Sequence, residues 1–253
     1  MSPWTQGQCD WVLNINVTRD WDKGTLHLSQ EAAISKLANR FNLTGVPVKG
    51  AKTPMDPNLK LSKPDEKDIV GADSFDYMSA VGGLLYISIT TRPDIALSVG
   101  VLSRFMSCPG DDHVKAARRV ISYLYHTRTY EIRYCRSTPI EGVGAPHQHD
   151  HPEVYYHARK TSAATEGDQD EKILHAYVDA DLAGDRDTMR STTGFVIMLY
   201  GGVICYKAKL QSTLISSVQG EAEINVIVKA VKQTLSHQIN LEELEFKIIN
   251  QSV

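Results

Sequence analysis

Residues 11–19 (W-V-L-N-I-N-V-T-R) alternate apolar and polar side chains, with Trp11, Leu13, Ile15 and Val17 on one face. A period of two predicts a half-buried strand. Asp22-Lys23-Gly24 reads as a hairpin turn and Thr25-Leu26-His27-Leu28 as the return strand. Ser29 is placed to cap a helix running to about Phe41, with Glu31 where the macrodipole favours an acid. Residues 44–72, rich in Pro, Lys and Asp, read as a loop.

Helical spacing then takes over. Ser74 or Asp76 starts a second helix with Tyr77, Val81, Leu84, Leu85 and Ile87 as its apolar positions. Gly82-Gly83 weakens that helix and offers room for a close neighbour. Thr91-Arg92-Pro93-Asp94 opens a third helix, with Pro in the first turn and a stripe of Ile95, Val99, Leu102 and Met106. Cys108-Pro109-Gly110 ends it, and Asp111 or Asp112 caps a fourth with Val114, Ala117, Ile121 and Leu124 inward. Residues 136–170 lose this periodicity and read as a linker. Three strand-like runs follow at 173–180, 192–200 and 202–206, then a helix from about Gly220 to Glu243. The sum is an α+β chain, with residues 1–135, 136–170 and 171–253 as its divisions.

Composition narrows the function classes. Hydrophobic residues make up 42% and charged residues 23%, ordinary for a globular protein. A net charge of −3 means that any nucleic-acid surface must be local. Cys9, Cys108, Cys135 and Cys205 are scattered without a C-x-x-C pair, which argues against a zinc site or a disulfide framework. The N-terminal residues show no basic-then-apolar signal pattern, and no apolar run reaches the roughly 18 residues of a bilayer span. These features point to an intracellular place, cytoplasmic or nuclear, without membrane contact.

Candidate chemistry lies in four places. Asp179 and Asp181 in Y-V-D-A-D are two apart, so on a strand they share a face and repel unless a cation lies between them. Glu223, in Glu221-Ala222-Glu223, shares a helical stripe with Val226, Ile227 and Ala230, an expensive place for an unpaired acid. The same acids also suit strand-end and helix-start charges held by solvent and the helix dipole. Lys115, Arg118 and Arg119 share one face of the fourth helix and could follow a phosphate backbone, or form an ordinary solvated face. His147, His149, His151 and His157 alternate in the linker, where metal affinity would be adventitious.

The stretch Y-M-S-A-V-G-G-L-L-Y-I-S-I-T-T-R-P-D-I-A-L-S-V-G-V-L-S-R-F-M-S strongly resembles the reverse transcriptase region of copia-type LTR retrotransposon Pol polyproteins. The likeness continues through H-V-K-A-A-R-R-V-I-S-Y-L-Y-H-T. Upstream, W-V-L-N-I-N-V-T-R resembles the family's primer-grip strand, and T-P-M-D-P-N-L-K-L-S fits the same region. Downstream, Y-V-D-A-D-L-A-G-D with R-S-T-T-G-F-V-I-M-L resembles the start of the family's ribonuclease H domain. The resemblance covers nearly the whole chain outside 136–170.

The resemblance implies a primer-grip hairpin and thumb-like helices, then an incomplete ribonuclease H-like α/β domain. It implies Asp179 and Glu223 as counterparts of two catalytic Mg²⁺ ligands, with Asp181 and Glu221 as near neighbours. The implied substrate is an RNA–DNA hybrid, cleaved with two Mg²⁺ ions. It also implies association with full-length element proteins. The family's polymerase aspartates, in a Y-V-D-D-like turn, do not occur in this sequence, nor do its further ribonuclease H acids in C-D-N and H-x-D contexts. Ile224 stands for the family's Tyr, and Cys205-Tyr206 for its Ser-Trp. With half of the acids, weak Mg²⁺ binding and little or no nuclease activity are expected. A domesticated nucleic-acid- or protein-binding module is the alternative.

Overall fold

The computed structural model describes residues 9–44, 52–71, 74–135, 174–181, 185, 187, 188, 190–211 and 219–243. Within its strands and helices, the side chains of 175, 180, 181, 219–225, 238 and 241–243 lie outside that description. The linker 136–170 and its four histidines fall outside the described residues. The chain forms two compact units, Met1–Pro57 with Pro64–Arg133, and Asn58–Lys63 with Tyr134–Val253. Both mix helix with antiparallel sheet, in keeping with the α+β expectation.

The first unit opens with a correction. The single strand expected over 11–19 is a tight hairpin of β1 (Trp11–Val12) and β2 (Ile15–Asp20), with Trp11 opposite Asn16. Leu13 and Asn14 form its turn at φ 49° and 60°. Asn tolerates the left-handed region that a two-residue hairpin demands, and a period-two pattern cannot reveal it. Leu13 consequently lies 77% exposed instead of on the inner face. The second turn forms as expected, with Gly24 at φ 62° and Asp20 Oδ1 accepting from the N–H groups of Asp22 and Lys23. β3 (Thr25–Ser29) and β4 (Ile132–Cys135) complete the sheet in the order β1-β2-β3-β4.

Helix α1 (Glu31–Arg40) starts from Gln30, not Ser29, because Ser29 is still paired with Asn16 in the sheet. The buried Gln30 side chain accepts hydrogen bonds from Thr91 (2.8 Å) and Thr90. Asp76 caps α2 (Tyr77–Thr90) by accepting from the Ser79 N–H at 3.0 Å. Its buried stripe is Tyr77, Ala80, Val81, Leu84 and Ile87, while Leu85, expected inside, is exposed. A Cβ on Gly83 would lie 2.6 Å from Leu37 Cδ1, so α1 approaches α2 at that glycine. A 3-10 turn at Pro93–Ile95 precedes α3 (Ala96–Ser103), which ends before Met106. Gly110, not an aspartate, precedes α4 (Asp111–His126), and its N–H donates to His113 Nδ1 at 3.0 Å. Ile34, Val81, Leu84, Ile95, Leu102, Val120, Ile121 and Leu124 are all but fully buried, each contributing about 1.5–3 kcal/mol.

The second unit is a three-stranded antiparallel sheet of β5 (His175–Asp181), β6 (Thr192–Leu199) and β7 (Gly202–Leu210), in that order. β6 alternates half-buried and buried positions without a break, as expected of a strand with one covered face. The turn to β7 runs through Tyr200 and Gly201, both at positive φ. Helix α5 (Gln219–Glu243) packs on β5 and β6. Its Ala230 joins Phe195 and Ile197 in the core, against Leu174, Ala176, Val178 and Ile204.

Candidate nucleic-acid interface and acidic strand

Register decides where Asp179 goes. Val178 pairs with Phe195 and Ala176 with Ile197, and all four belong to the core cluster that Ala230 of α5 completes. Side chains alternate along a strand, so Asp179 takes the opposite face, away from α5. There it is exposed, and its partner across the ladder is Gly194. A Cβ on Gly194 would make only ordinary contact with the Asp179 carbonyl at 3.7 Å. Asp181 pairs with Thr192 two positions on. Glu223 lies near the start of α5, three residues before the buried Val226. The side chains of Asp181 and Glu223 are outside the described residues.

A hard oxygen donor such as the exposed Asp179 carboxylate suits Mg²⁺. A two-ion site needs several carboxylates converging on one spot. Asp179 faces away from the helix that carries Glu223, and among the described residues no three His, Cys, Asp or Glu side chains gather where a metal could be held.

The sequence reading passed over Asp185, a buried acid just beyond β5. Its Oδ2 accepts from the Thr188 N–H at 3.2 Å and from the Thr188 hydroxyl, and its own N–H donates to the Arg190 carbonyl at 3.3 Å. It ties the loop leading into β6. The signal was an Asp followed three residues later by Thr, a local side-chain-to-backbone turn. Burial pushes the Cys205 thiol pKa up, with Lys207 opposing.

The three cations of α4 differ in what they can do. Lys115 is exposed and reaches Asp112 at 3.0 Å, a contact that raises its pKa and keeps it charged. Two side chains that exposed form a weak pair, which a phosphate can replace. Arg118 is also exposed, with its guanidinium 5.4 Å from the Phe75 ring centroid. Arg119 is half-buried and donates to Thr53 Oγ1 at 3.3 Å, which commits it to the fold. Lys115 and Arg118 remain for a ligand.

The chain is 32% identical to the retrovirus-related Pol polyprotein from transposon TNT 1-94 of Nicotiana tabacum, over 244 residues. It is also 32% identical, over 192 residues, to the Pol polyprotein from transposon RE1 of Arabidopsis thaliana. The chain belongs to the copia-type retrotransposon Pol polyproteins. These matches take in 94% and 76% of this Pol segment, but it spans only 16% and 11% of the two relatives' lengths. A third relative is the secreted RxLR effector protein 161 of Plasmopara viticola, 35% identical over 146 residues, which are 57% of the Pol segment and 80% of that protein. No family model and no solved structure matches. Among its described residues, no helix is long and apolar enough to cross a membrane.

Proposed function

We propose that this Pol segment binds RNA–DNA hybrid without cutting it. Its first unit derives from the end of a reverse transcriptase with thumb-like helices, and its second from a ribonuclease H domain. The observation that carries the reading is the register of β5. It puts Val178 in the core beneath α5 and Asp179 on the other face of the strand, which supports reading Asp179 and Glu223 as marks of ancestry. Lys115 and Arg118 supply charge for the phosphate backbone. Such binding releases counterions, so affinity falls steeply as salt rises.

Fluorescence anisotropy with a labelled hybrid, titrated between 50 and 200 mM salt, tests this. Each phosphate contact removed lowers the log–log salt slope by about 1, so Lys115→Ala with Arg118→Ala lowers it by about 2. Binding that ignores both salt and the double substitution would refute the nucleic-acid reading. That result would favour a second one, a protein-binding module used apart from any polymerase. Its support is the effector relative, 80% of whose length is matched by part of this chain.

A further inference from the structure

Thr53 lies exposed in a bend, directly before Pro54. Proline holds the residue before it in extended backbone, the form in which a kinase groove takes its acceptor. The sequence repeats a hydroxyl–proline dipeptide at Ser2-Pro3 and Thr138-Pro139, both outside the described residues. Among the described residues, Thr53 alone joins an exposed hydroxyl to a following proline.

A cation stands behind that hydroxyl. Thr53 Oγ1 donates to the Met55 carbonyl at 3.0 Å and accepts from Arg119 Nη2 at 3.3 Å. Arg119 Nε is buried and has no hydrogen-bond partner among the described residues. Nε and Nη2 form one edge of a guanidinium, the edge with which Arg92 grips both oxygens of Asp94. On Arg119 that edge is half used, since one hydroxyl oxygen takes Nη2 and leaves Nε unpaired. A buried donor left unpaired is costly, and the two N–H groups of such an edge match two oxygens of a phosphate.

We propose that Thr53 is a phosphorylation site whose phosphate is received by the Nε–Nη2 edge of Arg119. A proline-directed protein kinase and ATP supply the group. The bond between the γ-phosphorus and the β,γ-bridging oxygen breaks, a bond to Thr53 Oγ1 forms, ADP leaves, and the hydroxyl proton passes to the kinase's catalytic base. The product carries about −1.5 to −2 charge at neutral pH and can no longer donate to Met55, so its oxygens turn to Arg119. Arg119 lies one helical turn from Lys115 and next to Arg118 on α4. A phosphate there offsets that basic face and, on the hybrid-binding reading above, lowers hybrid affinity about threefold to tenfold.

Phosphorus NMR of the full chain carrying Ser2→Ala and Thr138→Val, after treatment with such a kinase and ATP, tests the proposal. Peptide mapping should find one phosphoryl group, on Thr53, and none after Thr53→Val. The second ionisation of that phosphate, ordinarily near about 6, should fall in the folded chain and recover in urea. Arg119→Gln should remove the fall while Thr53 still takes the phosphate. No phosphoryl group at Thr53 would overturn the proposal. So would a phosphate that titrates alike in the folded and unfolded chain, or a fall that survives Arg119→Gln. Hybrid affinity unchanged by the phosphate would overturn its coupling to the basic face. A lowered titration in a chain that binds no hybrid at all would uphold the site and count against the hybrid reading alone.

Discussion

Arg92 in the first unit and Asp179 in the second sit in opposite solvation. Arg92 is 1% exposed. It donates from Nε and Nη2 to the two oxygens of Asp94, at 2.9 and 2.7 Å, and to the Thr127 carbonyl and hydroxyl at 3.0 and 2.7 Å. Tyr123 donates a further 2.9 Å bond to Asp94 and lies under the guanidinium with Tyr130. Asp179 stands on an open strand face opposite a glycine. A charge taken out of water persists only when its hydrogen bonds are made, so the R-P-D motif acts as a structural lock. An exposed carboxylate such as Asp179 pays little desolvation, so the fold does not demand the closed set of hydrogen bonds that Arg92 has.

The largest expected effect lies at the lock. Arg92→Ala strands the Asp94 carboxylate and the Thr127 carbonyl, and should cost about 3–5 kcal/mol in urea denaturation. A loss below about 1 kcal/mol would break the contrast with Asp179, where exposed substitutions stay within about 0.5 kcal/mol. The pH dependence of stability sharpens it. Burial first, then the Asp94 charge and its hydrogen bond, push the Tyr123 phenol up to about 12 from its ordinary 10. Burial likewise raises Tyr77, whose hydroxyl donates to the Leu102 carbonyl. A raised phenol pKa means that the unfolded chain loses its proton first. The stabilisation is therefore complete below about pH 10 and declines as pH rises toward about 12. Thermal melts between pH 9 and 12 should show that decline, and Tyr123→Phe should reduce it, leaving the part that Tyr77 contributes.

The smallest effects separate two neighbouring glycines. A methyl on Gly83 would meet Leu37 Cδ1 at 2.6 Å, whereas one on Gly82 would meet nothing within 4 Å. Gly83→Ala should gain less than Gly82→Ala, because the end of the Leu37 side chain must shift to admit the methyl. Gly82→Ala should gain about 0.5–1 kcal/mol through helix propensity. Equal effects in parallel melts would mean that α1 and α2 do not meet at Gly83.

Periodicity made most of the fold legible. The four helices of the first unit and the three strands and helix of the second all follow from spacing. Misreadings fell where a local backbone need outweighs hydrophobic pattern. The Leu13-Asn14 turn interrupts an alternation that looks unbroken, because Asn can enter the left-handed region while keeping the strand's polar beat. Ser29 is a good cap by type, but sheet pairing claims it, and Gln30 takes the N-cap position without a side-chain capping bond. β4 is too short, at four residues, to announce itself. The acids were found by motif, but the face each one takes depends on register against a partner strand, which one strand's sequence does not carry. Asp185 was invisible as a core residue because its partner Thr188 satisfies it within its own loop.

We propose that this Pol segment holds hybrid and leaves it intact. It is tested most directly by incubating a labelled RNA–DNA hybrid with the chain and Mg²⁺, reading anisotropy and strand length in the same sample. The expected result is salt-sensitive binding with full-length RNA, unchanged by Asp179→Asn. Mg²⁺-dependent cleavage of the RNA strand that disappears in Asp179→Asn would contradict it.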